Sequence, residues 1–99
     1  MMLNEEQMCI NLARNIRYLR LTRKPPLSQN MLAQRVGITK CTISKYESAH
    51  YLPPAHVLIA LANYFGYTTD ELLSEKLPFM KGSKRYNENL ASGNQAQNT

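Results

Sequence analysis

The stretch LSQNMLAQRVGITKCTISKYE, Leu27 to Glu47, constrains the fold more than any other part of the chain. It reads as two short helices joined by a tight turn. Ser28 is suited to cap the first helix, which Gln29 opens. Leu32, Ala33 and Val36 fall on one face of that helix, at steps of 1, 3 and 4. Gly37 stands where the helix must end, and glycine reaches positive φ without steric cost. Ile38 follows as a buried plug, and Thr39 caps the second helix. Ile43 and Tyr46 lie three apart on the inner face of this second helix, which leaves Lys40, Cys41, Ser44 and Lys45 outside.

Two helices that meet at a sharp angle need a small residue where they approach most closely. Ala33 supplies it, four residues after Gln29 and four before Gly37. The joint pattern is Gln29, Leu32, Ala33, Val36, Gly37, Ile38, Ile43 and Tyr46, and that set at that spacing specifies a helix-turn-helix. From about Leu12 to Leu73 the chain resembles the DNA-binding domains of the lambda-repressor-like class, specifically the XRE/Cro–C1 family. The resemblance implies an all-α fold, a compact five-helix lambda-repressor-like domain with a flexible C-terminal tail.

Ninety-nine residues allow one domain and one modest core. The net charge is +5, but its location matters more than its total. Between Asn11 and His50 there are eight Lys and Arg residues against Glu47 alone, a net +7. A compact basic segment points to a polyanion, nucleic acid first. Cys9 and Cys41 lie in different expected helices and form no tight disulfide framework, which suits a reducing cytoplasm. No apolar run approaches the roughly 18 residues of a membrane span. The N-terminus, with Glu5 and Glu6, has no apolar core of signal-peptide type. A cytoplasmic protein with no membrane partner is expected, and the resemblance implies a bacterial or phage origin.

Residues 1–8 read as a lead-in, residues 9–76 as the helix-turn-helix domain and residues 77–99 as a polar, disordered tail. The first helix is expected from about Cys9, or a few residues earlier, to Thr22, with Met8, Leu12, Ile16 and Leu19 as its inner stripe and Arg14, Asn15 and Arg17 mostly off it. Arg23-Lys24-Pro25-Pro26 then stops the helix. This link is longer than the family usually carries. Arg23 and Lys24 could reach a phosphate there, though loop charges are more often simply solvated. Pro53 and Pro54 open a fourth helix with Leu58, Leu61, Ala62 and Phe65 as its core stripe, and Gly66 ends it. Thr68 and Glu71 have the spacing of a capping box, which starts a short fifth helix carrying Leu72 and Leu73. Leu77, Pro78, Phe79 and Met80 form a short apolar patch before the polar tail.

The resemblance also implies a mechanism. The first helix of the pair crosses the DNA backbone, with Gln29 on a phosphate and Ser28, Asn30 and Thr42 as further phosphate contacts. The second helix, 40–47, enters the major groove, with Lys40, Cys41, Ser44 and Lys45 facing bases. Ala33, Gly37, Ile43 and Tyr46 are structural, and Arg20 and Glu47 match positions that pair across the domain in such proteins. A domain this small is expected to act as a homodimer on an operator whose half-sites lie about 34 Å apart. The expected activity is transcriptional regulation, with repression favoured because no sensor or polymerase-contacting domain is evident. An antitoxin-like regulator with a protein partner at 77–80 and the tail is the alternative. Catalysis is not expected: no Gly-rich phosphate loop and no His–acid pairing is present. No metal or cofactor is expected either, since Cys9, Cys41, His50 and His56 lack a C-x-x-C or H-x-x-x-H spacing.

Overall fold

The computed structural model describes residues 4–77. Among them are five helices and no strand: α1 (Glu5–Thr22), α2 (Gln29–Val36), α3 (Lys40–Glu47), α4 (Ala55–Phe65) and α5 (Thr69–Leu72). The apolar patch beyond Leu77 and the expected tail, Lys81 to Thr99, lie outside the described residues, as do residues 1–3.

Helix α1 takes the earlier of the expected starts, at Glu5. The physical reason is a cap: Asn4 Oδ1 accepts from the Gln7 N–H at 2.7 Å. Glu5 and Glu6 follow in the first turn, where the positive end of the helix dipole favours them. Leu12 and Ile16 are fully buried, Leu19 packs at the core's edge and Met8 is half-buried. Asn15, expected off the inner stripe, is buried, and so is Asn11. Their side chains are spent on the far end of the domain. Asn11 Nδ2 donates to the Leu73 carbonyl at 2.9 Å. Asn15 Nδ2 donates to the Leu72 and Ser74 carbonyls at 2.8 and 2.9 Å. Arg14 adds a bond to the Glu75 carbonyl. The Thr69 and Glu71 carbonyls accept from the Leu73 and Ser74 N–H groups, while the Leu72 carbonyl and those just past the helix take their donors from α1.

The link after α1 is closed at its two ends. The Leu27 N–H donates to the Arg20 carbonyl at 3.0 Å, and Arg20 Nη1 donates to the Leu27 carbonyl at 3.0 Å. Within it the Lys24–Pro25 bond is cis, and the Arg23 guanidinium lies 4.8 Å from the Tyr64 ring centre.

Helix α2 is capped by Ser28, whose Oγ accepts from the Met31 N–H at 3.0 Å. Gly37 ends it at φ 81°, and the Gly37 and Ile38 N–H groups both donate to the Ala33 carbonyl. A Cβ at Gly37 would meet nothing within 4 Å, so glycine is required there by backbone conformation and not by space. Ile38 is half-buried against the core. Thr39 Oγ1 accepts from the Thr42 N–H at 3.2 Å and starts α3.

Helix α4 begins at Ala55, with Pro54 as its cap residue and Pro53 buried before it. Val57 takes the inward position together with Leu61, Ala62 and Phe65, and Leu58 packs at the margin. Gly66 closes it, and the Thr68–Glu71 capping box forms in both directions. One apolar core runs through all five helices, from Leu12 and Ile16 through Leu32, Ile43 and Leu61 to Leu72. α3 is held between α1 and α2, and α5 packs on α1 and α4.

Candidate nucleic-acid interface

Helix α3 has two faces. Ile43 is fully buried and Tyr46 nearly so, which seats the helix in the core. Lys40, Cys41, Ser44 and Lys45 are all exposed. Their spacing puts them on one stripe along the outer side. The four residues expected to face bases are thus brought together on a single surface.

What fixes the angle of that surface is a buried ion pair. Arg20 Nε and Nη2 donate to the two Glu47 carboxylate oxygens at 2.8 and 2.9 Å. The side chains are 8% and 5% exposed. A planar fork on a carboxylate resists rotation as well as separation. Since Arg20 also holds the Leu27 carbonyl, one guanidinium ties α1, the link into α2 and the end of α3 together.

Of the residues expected at phosphates, Ser28, Gln29 and Asn30 form the start of α2, and Thr42 lies in the first turn of α3. Ser28 Oγ accepts from the Met31 N–H, and the Ser28 carbonyl accepts from the Leu32 N–H. The Gln29 and Asn30 amides of the first turn are left for an outside acceptor. Asn30 is exposed. The Gln29 side chain is half-buried, and its Nε2 donates to Glu47 Oε1 at 3.1 Å. Its second amide hydrogen remains for an outside acceptor. Thr42 is half-buried, its hydroxyl 2.9 Å from that of Thr39.

Two partners were not visible in the sequence. Glu47 serves Gln29 as well as Arg20. Tyr51, in the loop after α3 and 52% exposed, lies with its ring centre 5.7 Å from the Lys45 ammonium. No periodicity links a helical lysine to a tyrosine beyond the helix end, so only the folded loop reveals that contact.

Charge is distributed unevenly. Glu5, Glu6, Asp70, Glu71 and Glu75 belong to the first turn of α1 and to the α5 region that α1 holds. Arg20, which reaches α3, is nine residues beyond Asn11, which reaches α5, or about 13 Å along the helix axis. The one acidic residue of the α2–α3 pair, Glu47, is already neutralised by Arg20. Among the described residues no group of three or more His, Cys, Asp or Glu side chains could hold a metal ion. Both Cys9 and Cys41 are free thiols, Cys9 buried and Cys41 exposed. No described helix is long and apolar enough to cross a membrane.

A glycine-ended helix that braces a second one, whose outer stripe carries cations and small polar groups, defines a helix-turn-helix DNA-binding domain on a five-helix lambda-repressor-like scaffold. A family model described as Helix-turn-helix (HTH_3) matches residues 16–72, more than half of the chain. The chain belongs to that family, the XRE/Cro–C1 type, and is a DNA-binding transcription regulator by kind. No curated protein and no solved structure gives a significant match to it.

Proposed function

We propose that the protein is a sequence-specific repressor that binds double-stranded DNA as a homodimer and lays α3 in the major groove of each half-site. The observation that carries this reading is the outer stripe of α3, held at a fixed angle by the Arg20–Glu47 pair. Lys40 donates to guanine O6 and N7, Ser44 donates or accepts, and Cys41 meets a thymine methyl. Lys45 shares their face. The start of α2 takes the adjacent phosphate through the Gln29 and Asn30 amides, the Gln29 side chain and the Ser28 hydroxyl, with Thr42 at a second phosphate.

Two copies are needed because one short helix contacts too few base pairs to select a site in a genome. Selection of bound duplexes from a random pool, at stated salt, tests the reading. The expected result is a two-fold repeated motif with half-sites about one helical turn apart. A pool that never enriches a motif, or one that enriches a single half-site bound by a monomer, contradicts it.

A further inference from the structure

We infer that Tyr51 is a positioning residue for Lys45, holding its ammonium at the trailing end of α3 so that it meets a DNA phosphate and not a base edge. The inference rests on the reading of α3 as the groove helix and assigns one of its four outward residues a different target.

Side chains on a helix lean toward its N-terminus, the half of α3 that leads into the groove. The Lys45 ammonium instead sits 5.7 Å from the centre of a ring supplied by the loop that follows the helix. No carboxylate among the described residues accounts for this. The Arg20–Glu47 pair is the one ion pair among the described residues, and Gln29 also binds Glu47. The π face of Tyr51 is then the group that draws the cation back. A base-reading lysine must extend into the groove. One folded back over the following loop lies at the groove's rim, where the phosphates run. Tyr51 is 52% exposed and Lys45 is exposed, so the pair is accessible to a duplex without rearrangement. A lysine already held in place loses less rotamer freedom on binding. Base reading then falls to Lys40, Cys41 and Ser44.

The test uses the full chain and a duplex selected as above. Lys45→Ala should weaken all single-base-pair variants of the site equally and reduce the salt slope by about 0.9. Tyr51→Leu should weaken binding about 2- to 5-fold when Lys45 is present and not at all in a Lys45→Ala background. Tyr51→Phe, which keeps the ring face, should restore wild-type affinity. In the free protein, the Lys45 methylene protons beside the nitrogen should show an upfield ring-current shift that Tyr51→Leu abolishes. The proposal is overturned if Lys45→Ala relaxes preference at one base pair, if Tyr51→Leu costs as much without Lys45, or if Tyr51→Phe is as harmful as Tyr51→Leu. Wild-type binding to duplex tests the DNA reading separately. The ring-current shift tests the tyrosine–lysine contact with no DNA present.

Discussion

Three described residues, Gly37, Gly66 and Ala49, share an unusual backbone state, and only the two glycines are suited to it. Gly37 has φ 81° and Ala49 has φ 71°. An L side chain in that region costs about 1–2 kcal/mol. Ala49 therefore carries strain that Gly37 avoids, at the turn that follows α3. Ala49→Gly relieves the strain, and glycine's greater freedom in the unfolded chain takes back about 0.4–1 kcal/mol. We expect a net gain of about 0.5 kcal/mol in urea unfolding. A loss of stability would show that the Ala49 methyl does more by packing than the strain costs. The Arg20–Glu47 pair works in the other direction. Its side chains are almost wholly buried, so removing one charge strands the other. Glu47→Gln should cost about 3 kcal/mol in the same measurement and weaken DNA binding with it. An unchanged midpoint and affinity would refute the structural role of the pair.

At the scale of elements, α5 is too short to hold itself. Its capping box secures its start, but the Leu72 and Leu73 carbonyls at its end depend on Asn15 and Asn11. Asn15→Ala leaves the Leu72 carbonyl and that of Ser74 without their side-chain donor. The expected cost is about 1–3 kcal/mol, with amide exchange rising first in 68–74. Uniform exchange across all five helices would argue against so local a role.

The helices differ in how far they were legible beforehand. α2, α3 and α5 have caps and apolar spacings encoded within a few residues of each end, and these appear as local signals. The Asn4-Glu5-Glu6 start of α1 was equally local, though the expected boundary was set by the apolar stripe, which begins later. Asn11 and Asn15 could not be read. An asparagine on a helix is ordinarily solvated, and the carbonyls that justify these two are 57–62 residues away. Lys45 and Tyr51 belong to the same class of contact, since the loop that joins them has no period. On the site, the outward set on α3 followed from the positions of Ile43 and Tyr46. What each outward residue reaches depends on loop geometry.

Across the described residues the molecule is electrically lopsided. Acidic residues gather where α1 begins and α5 is held, while the α2–α3 pair presents cations with its one carboxylate already paired. Such a molecule turns its basic end toward a polyanion during encounter. The core has a titration signature of its own. Burial raises the Cys9 thiol above its ordinary 9.0, with Glu5 and Glu6 adding to the effect. Burial alone raises the Tyr46 phenol above its ordinary 10.0. Groups with raised folded-state values contribute stability that is fully present below the unfolded value and is lost as pH rises through the folded one. Unfolding free energy should therefore hold to about pH 8 and decline above it, less steeply for Tyr46→Phe. A stability unchanged to about pH 11 would contradict this burial.

One measurement bears most directly on the assignment of α3 to the groove: fluorescence anisotropy of a labelled, selected duplex titrated with the full chain at several salt concentrations, for wild type and for Lys40→Ala. The account predicts saturable wild-type binding whose logarithmic affinity falls linearly with the logarithm of salt, by about 0.9 per phosphate neutralised. It also predicts that Lys40→Ala loses discrimination at one base pair in each half-site. Failure of the wild-type chain to bind any duplex at the lowest salt, or Lys40→Ala binding with wild-type affinity and selectivity, would contradict it.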